Sequence, residues 1–174
     1  MRTIGVAIPI PEPWGGQLQA YRESIGDPMA ELIPPHITLV PPVDLDPAVA
    51  ADIEEHLTKA GSAVAPFVVH LRGTATFRPL SPVVFLALIE GISGCERLER
   101  AVRSGPLGVD LNFPYHPHVT VAHELDDDVL DRAFTDLATF EARFTVDAFT
   151  LYVHDDAAGW VPRRRFGLQS VVRS

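Results

Sequence analysis

The run Val83 to Ile89, seven apolar residues rich in valine, leucine and isoleucine, predicts a buried strand. A second strand is expected at about Thr3 to Ile8. The helix after it, about Trp14 to Ile25, carries Trp14, Leu18, Tyr21 and Ile25 at helical spacing, with Pro13 in the first turn and Gly26 beyond the end. His36 to Val40 is a short extended run between Pro34-Pro35 and Pro41-Pro42, and those prolines are expected to bound it. Asp46 is placed to cap a helix that starts at Pro47, turns Val49, Ile53, Leu57 and Ala60 to one face, and stops at Gly61. Strands follow at Phe67 to Leu71 and Thr74 to Phe77.

After Val83 the order repeats. Ser93-Gly94-Cys95-Glu96 has capping-box spacing, and Leu98, Ala101 and Val102 carry that helix toward Gly105. His118 to Ala122 is again short and extended, entered through Pro114 and Pro117. A helix from about Asp127 to Leu137 and strands at Phe144 to Val153 and Trp160 to Leu168 complete the pattern. The first strands of the two halves lie 80 residues apart, as do Asp46 and Asp126, while His36 and His118 are 82 apart. These offsets predict a duplicated unit, with approximate halves 1–78 and 79–174. Neither half is long enough to be a secure domain alone, so one domain over 1–174 is expected, its two lobes related by a pseudo-twofold axis with a ligand cleft between them.

The repeat places Pro35-His36-Ile37-Thr38-Leu39 and Pro117-His118-Val119-Thr120-Val121 at matching points. With seven histidines and ten threonines in 174 residues, chance supplies roughly 0.4 His-x-Thr triplets, so two at equivalent positions form a strong signal. Alternation along a strand turns each histidine and threonine to one face and the aliphatic residues to the other. Two such pairs facing each other suit phosphodiester chemistry. One proton must leave the nucleophile and another must reach the departing oxygen, and imidazole serves both ends near neutral pH. Threonine hydroxyls can donate to the non-bridging oxygens, and no metal or other cofactor is required.

The paired motifs resemble the signature of the 2H phosphoesterase superfamily, in particular its bacterial 2'-5' RNA ligase-like branch, and the resemblance covers nearly the whole chain. It implies a bilobal α+β fold with antiparallel sheets lining a central cleft and helices outside. It also implies metal-independent opening of 2',3'-cyclic phosphates, or reversible joining of RNA ends through 2'-5' linkages. Carried over, His36 and His118 are the acid/base pair and Thr38 and Thr120 the phosphate binders. Two departures stand out: many relatives have an arginine three residues after the second threonine, where this chain has His123, and Pro41-Pro42 follows the first motif where relatives often turn through a glycine.

Composition narrows the partners. The chain has 14 Lys+Arg against 23 Asp+Glu, a formal charge of −9, so a protein that coats long duplex nucleic acid is not expected. A nucleotide or an RNA terminus carrying a cyclic phosphate is compatible with a local cluster of donors. Arg163-Arg164-Arg165 is the one basic run, and Arg163 and Arg165 would share a strand face, as substrate contacts or as a solvated surface. Tyr115 could stack on a base or pack in the core, and His123 could contact phosphate. His116 reads as a surface residue, as a substrate contact or as half of a metal pair, whereas His56, His70 and His154 read as structural or solvated. Asp126-Asp127-Asp128 fits the start of a helix. A nucleotide-binding module with lost catalysis is the alternative to an enzyme. The single Cys95 points to a reducing compartment. Ile4 to Ile10, broken by Pro9 and Pro11, makes a poor secretory signal, and no membrane span is present, so a cytoplasmic monomer is expected.

Overall fold

The computed structural model describes residues 1–108 and 113–169. In chain order the elements are β1 (Arg2–Pro9), α1 (Trp14–Ser24), β2 (His36–Leu45), α2 (Ala50–Ser62), β3 (Phe67–Thr76), β4 (Val83–Glu90), α3 (Ile92–Val102), β5 (Val119–His123), α4 (Asp127–Asp136), β6 (Glu141–Val146), β7 (Ala148–Asp155) and β8 (Gly159–Gly167). Every strand pairing is antiparallel, and the eight strands form one sheet in the order β6-β3-β4-β5-β2-β1-β7-β8. The fold is therefore α+β, and the two motif strands, β2 and β5, meet at its centre.

Alternation decides the two faces. Ile4, Val6, Ile37, Leu39, Val84, Leu86, Val119 and Val121 are buried in one apolar core. Leu18 of α1, Leu57 of α2, Leu98 of α3 and Leu130 of α4 complete that core, so the helices cover one face of the sheet and the other is left for a cleft. The strand order interleaves the chain halves. β3, from the first half, lies between β4 and β6, while β7 and β8 return beside β1.

Several expected boundaries move, each for a local reason. β2 runs through Pro41 and Pro42 to Leu45 instead of stopping at Val40. Its ladder with β1 shifts register between the Val40↔Val6 and Val43↔Ile4 pairs, so the two prolines sit in a bulge where no N–H is needed. The two short strands expected at Phe67 to Leu71 and Thr74 to Phe77 are one strand, β3, with a register shift between Leu71 and Thr74 and Gly73 at φ +76°. Phe144 to Val153 is not one strand: it divides at Asp147 into β6 and β7, on opposite sides of the sheet. Nor does the capping box form. The helix starts at Ile92 behind Gly91, whose φ of +100° suits glycine, and a Cβ there would lie 2.6 Å from the Val68 carbonyl oxygen. Asp46 does cap, accepting from Ala48 N–H at 2.9 Å, over a 3-10 turn at Pro47–Val49 that leads into α2.

Candidate active site

β2 and β5 meet through one register pair, Ile37↔Val119. The next paired positions in that register would set Pro117 opposite Leu39 and Pro35 opposite Val121, and proline has no N–H to extend a ladder. Pairing stops there, and the cleft lies over the face of the sheet that the helices leave open. The residues flanking the pair point away from the core, so His36 faces Thr120 and His118 faces Thr38 across the junction. Diagonal neighbours of this kind lie about 7–8 Å apart, so the two imidazoles can flank a single phosphate.

Each histidine is oriented by the same device. Nδ1 of His36 donates to the Pro34 carbonyl at 2.8 Å, and Nδ1 of His118 donates to the His116 carbonyl at 2.6 Å. A carbonyl can only accept, so in the neutral ring the proton is on Nδ1 and the lone pair is on Nε2. In both cases the carbonyl lies two residues upstream, across the motif proline.

The environments of the two rings differ. Burial lowers the His36 pKa to about 4; the positive fields of Arg22 and His118 act in the same direction, and the bond to Pro34 opposes them. Burial also lowers His118, whose ring stands edge-on to Phe77 at 5.1 Å and lies 5.2 Å from the Phe85 ring. Both histidines are therefore held toward the neutral form.

His36, Thr38, His118, Thr120 and His123 all line one cleft of about 460 Å³. Apart from Arg22 and Ser81 its remaining walls are apolar or aromatic, including Met29, Phe77, Tyr152 and Trp160, and none of the described residues lining it is acidic. Such a cavity suits an anion with an apolar or aromatic body. Trp160 lies against Gly5, where a Cβ would approach its ring to 3.4 Å.

The remaining sequence candidates lie elsewhere. Tyr115 is not among the cleft-lining residues; its hydroxyl donates to the Thr38 carbonyl at 2.8 Å and its ring packs on the core. Arg163 lies beside α2, Arg164 approaches Glu54 at 3.9 Å, and Arg165 pairs with Asp147 at 3.1 Å; none of the three lines the cleft. His116 packs its ring against Phe77 and Phe85, at 5.5 and 5.4 Å. His56 bonds the Val102 carbonyl, His70 pairs with Glu141, and His154 stands against Trp160. Among the described residues no group of three or more His, Cys, Asp or Glu is placed to hold a metal. Burial pushes the Cys95 thiol up to about 12, away from nucleophilic use.

One cleft residue is missed by the sequence reading: Arg22, four residues after Leu18 on the apolar face of α1, lines the cavity at 3% exposure. A charged residue at that helical position, with Asp27 five residues on, was the available signal.

The model of the 2'-5' RNA ligase superfamily matches residues 10–158. A protein of Oceanobacillus iheyensis named "Putative phosphoesterase" is 27% identical over 168 residues, covering 94% of this chain and 96% of its own. A Bacillus pumilus protein of the same name is 28% identical, covering 84% and 86%. Among solved structures, Escherichia coli LigT complexed with NADP+ matches with a TM-score of 0.74 at 21% identity, covering 97% of this chain and 98% of its own, which shows the shared fold. With its paired His-x-Thr strands meeting at one cleft, the chain belongs to the 2'-5' RNA ligase superfamily of 2H phosphoesterases.

Proposed function

We propose that the protein is a phosphoesterase that opens 2',3'-cyclic phosphodiesters, or makes and breaks 2'-5' linkages, at a nucleotide or RNA terminus, using His36 and His118 as general base and acid. The observation that carries this reading is the matched pair of Nδ1–carbonyl bonds, which leaves two Nε2 atoms free for proton transfer in one cleft. E. coli LigT, similar in fold, has been solved with 3'-AMP and with ATP, which supports a nucleotide as ligand.

In the hydrolytic direction, neutral His36 takes a proton from water as the water oxygen attacks phosphorus. The bond from phosphorus to one ribose oxygen breaks, and that oxygen takes a proton from the His118 imidazolium. The product is a phosphomonoester, and proton exchange with solvent resets both rings. A pKa lowered to about 4 supports the base role for His36, since the ring remains neutral through the physiological range. Thr38 and Thr120 hydroxyls donate to the non-bridging oxygens, where charge is held. Each proton transfer is thus assigned to an imidazole.

The test is a panel of 2',3'-cyclic mononucleotides and cyclic-phosphate-ended RNA, with products read by phosphorus NMR. His36→Ala and His118→Ala should each lower kcat/KM by about 10²- to 10⁴-fold while the protein stays folded. Binding without turnover in the wild type would favour a nucleotide-binding module, and full activity in both variants would refute the assignment.

A further inference from the structure

Arg22 is the only arginine or lysine among the described residues lining the cleft, and the two-histidine mechanism gives it no task. Its Nε donates to Asp27 Oδ2 at 3.0 Å, and its Nη1 donates to the Ile33 carbonyl at 3.2 Å. The other Asp27 oxygen accepts Met29 N–H at 2.9 Å, so the carboxylate is held on the side facing the 27–33 loop. The side chains of this pair are 4% and 0% exposed. The Nη2 group has no acceptor among the described residues. A guanidinium locked on two sides and open on the third is a preorganised donor edge in a cavity of low polarity.

We propose that Arg22 binds the substrate phosphodiester, its Nη2 edge donating to a non-bridging oxygen on the His36 side of the cleft. The proposal rests on the phosphodiester reading above. The fixed positive charge enters the cleft from α1, whereas β5 contributes Thr120 and His123. The Ile33 carbonyl that Arg22 grips adjoins Pro34, whose own carbonyl holds His36. Phosphate and base are thereby referenced to the same short loop.

Removing Arg22 alone would strand the buried Asp27 carboxylate, so the informative variant is the neutral pair Arg22→Met with Asp27→Asn. Inorganic phosphate is titrated into the full-length wild type and variant, with binding read from the ring resonances of His36 and His118. In the folded variant the phosphate Kd should rise about 10- to 100-fold, and KM for a cyclic mononucleotide should rise with it. Should that pair fail to fold, Arg22→Lys keeps a cation beside Asp27 but loses the fork, and at least a roughly 10-fold weaker phosphate Kd is expected. A merely structural role would lower the denaturation midpoint and leave phosphate affinity of the folded protein intact. That result, or a wild type that binds no phosphate, overturns the proposal. Arg22-dependent phosphate binding in a wild type that hydrolyses no cyclic phosphate would reject the hydrolytic reading and retain the anion site.

Discussion

The Tyr115 hydroxyl donates to the Thr38 carbonyl at 2.8 Å, tying the segment that enters the second motif to the strand of the first. It is a bond across the β2–β5 junction, made where the ladder has stopped. Tyr115→Phe should cost about 1 kcal/mol of stability in urea denaturation with an unchanged slope. An unchanged midpoint would show that the bond contributes nothing to holding the junction.

The pH profile of kcat/KM should be bell-shaped, with its maximum on the acidic side of 6.5. In the proposed mechanism the free enzyme must have His36 neutral, which requires a pH above about 4, and His118 protonated, which requires a pH below its lowered pKa. Phe77→Ala should wet the His118 ring, raise its pKa, and move the basic limb upward. A basic limb that stays in place would mean that Phe77 does not set the pKa of His118.

Acid stability provides an independent check on His36. Above pH 6.5 the ring is neutral in both folded and unfolded chains and contributes nothing to pH dependence. Between 6.5 and about 4 the unfolded ring binds a proton that the folded one does not, so stability falls as pH drops and levels off below about 4. At about 1.4 kcal/mol per pH unit over that interval, the loss reaches about 3 kcal/mol. His36→Gln cannot titrate and should lose that much less stability than the wild type between pH 7 and pH 4, measured by urea midpoints. Parallel losses would argue against a depressed His36.

Gly91→Ala should destabilise the fold by about 2 kcal/mol or more, because φ is +100° and the new Cβ would meet the Val68 carbonyl oxygen at 2.6 Å. Thermal denaturation of this variant checks whether helix α3 depends on that glycine.

Much of this architecture is legible in residue order because alternation and helical spacing report burial directly. The apolar run at Val83 was expected as a strand and is β4, and Ile53 and Leu57 fall on the buried face of α2. The His-x-Thr strands could be read because the repeat doubles a pattern that singly would be noise. What failed were features set by non-local partners. Pro41 and Pro42 are tolerated because β1 shifts its register opposite them, and the break at Asp147 reflects β6 and β7 pairing with strands far apart in sequence. Arg22 escaped for a related reason. Its position in the cleft depends on Asp27 and on the path of the 27–33 loop, neither of which has a periodicity to detect.

The interleaved strand order bears on what a ligand touches. Because β3 to β6 all lie in the far half of the sheet and β1, β2, β7 and β8 in the near half, the chain crosses between halves twice, before β3 and between β6 and β7. The two halves are thus joined by the connection through α2, by the turn at Asp147 and by the Ile37↔Val119 pair. A ligand spanning both motif histidines therefore touches both halves at once, meeting His36 on the near strand β2 and His118 at the start of the far strand β5.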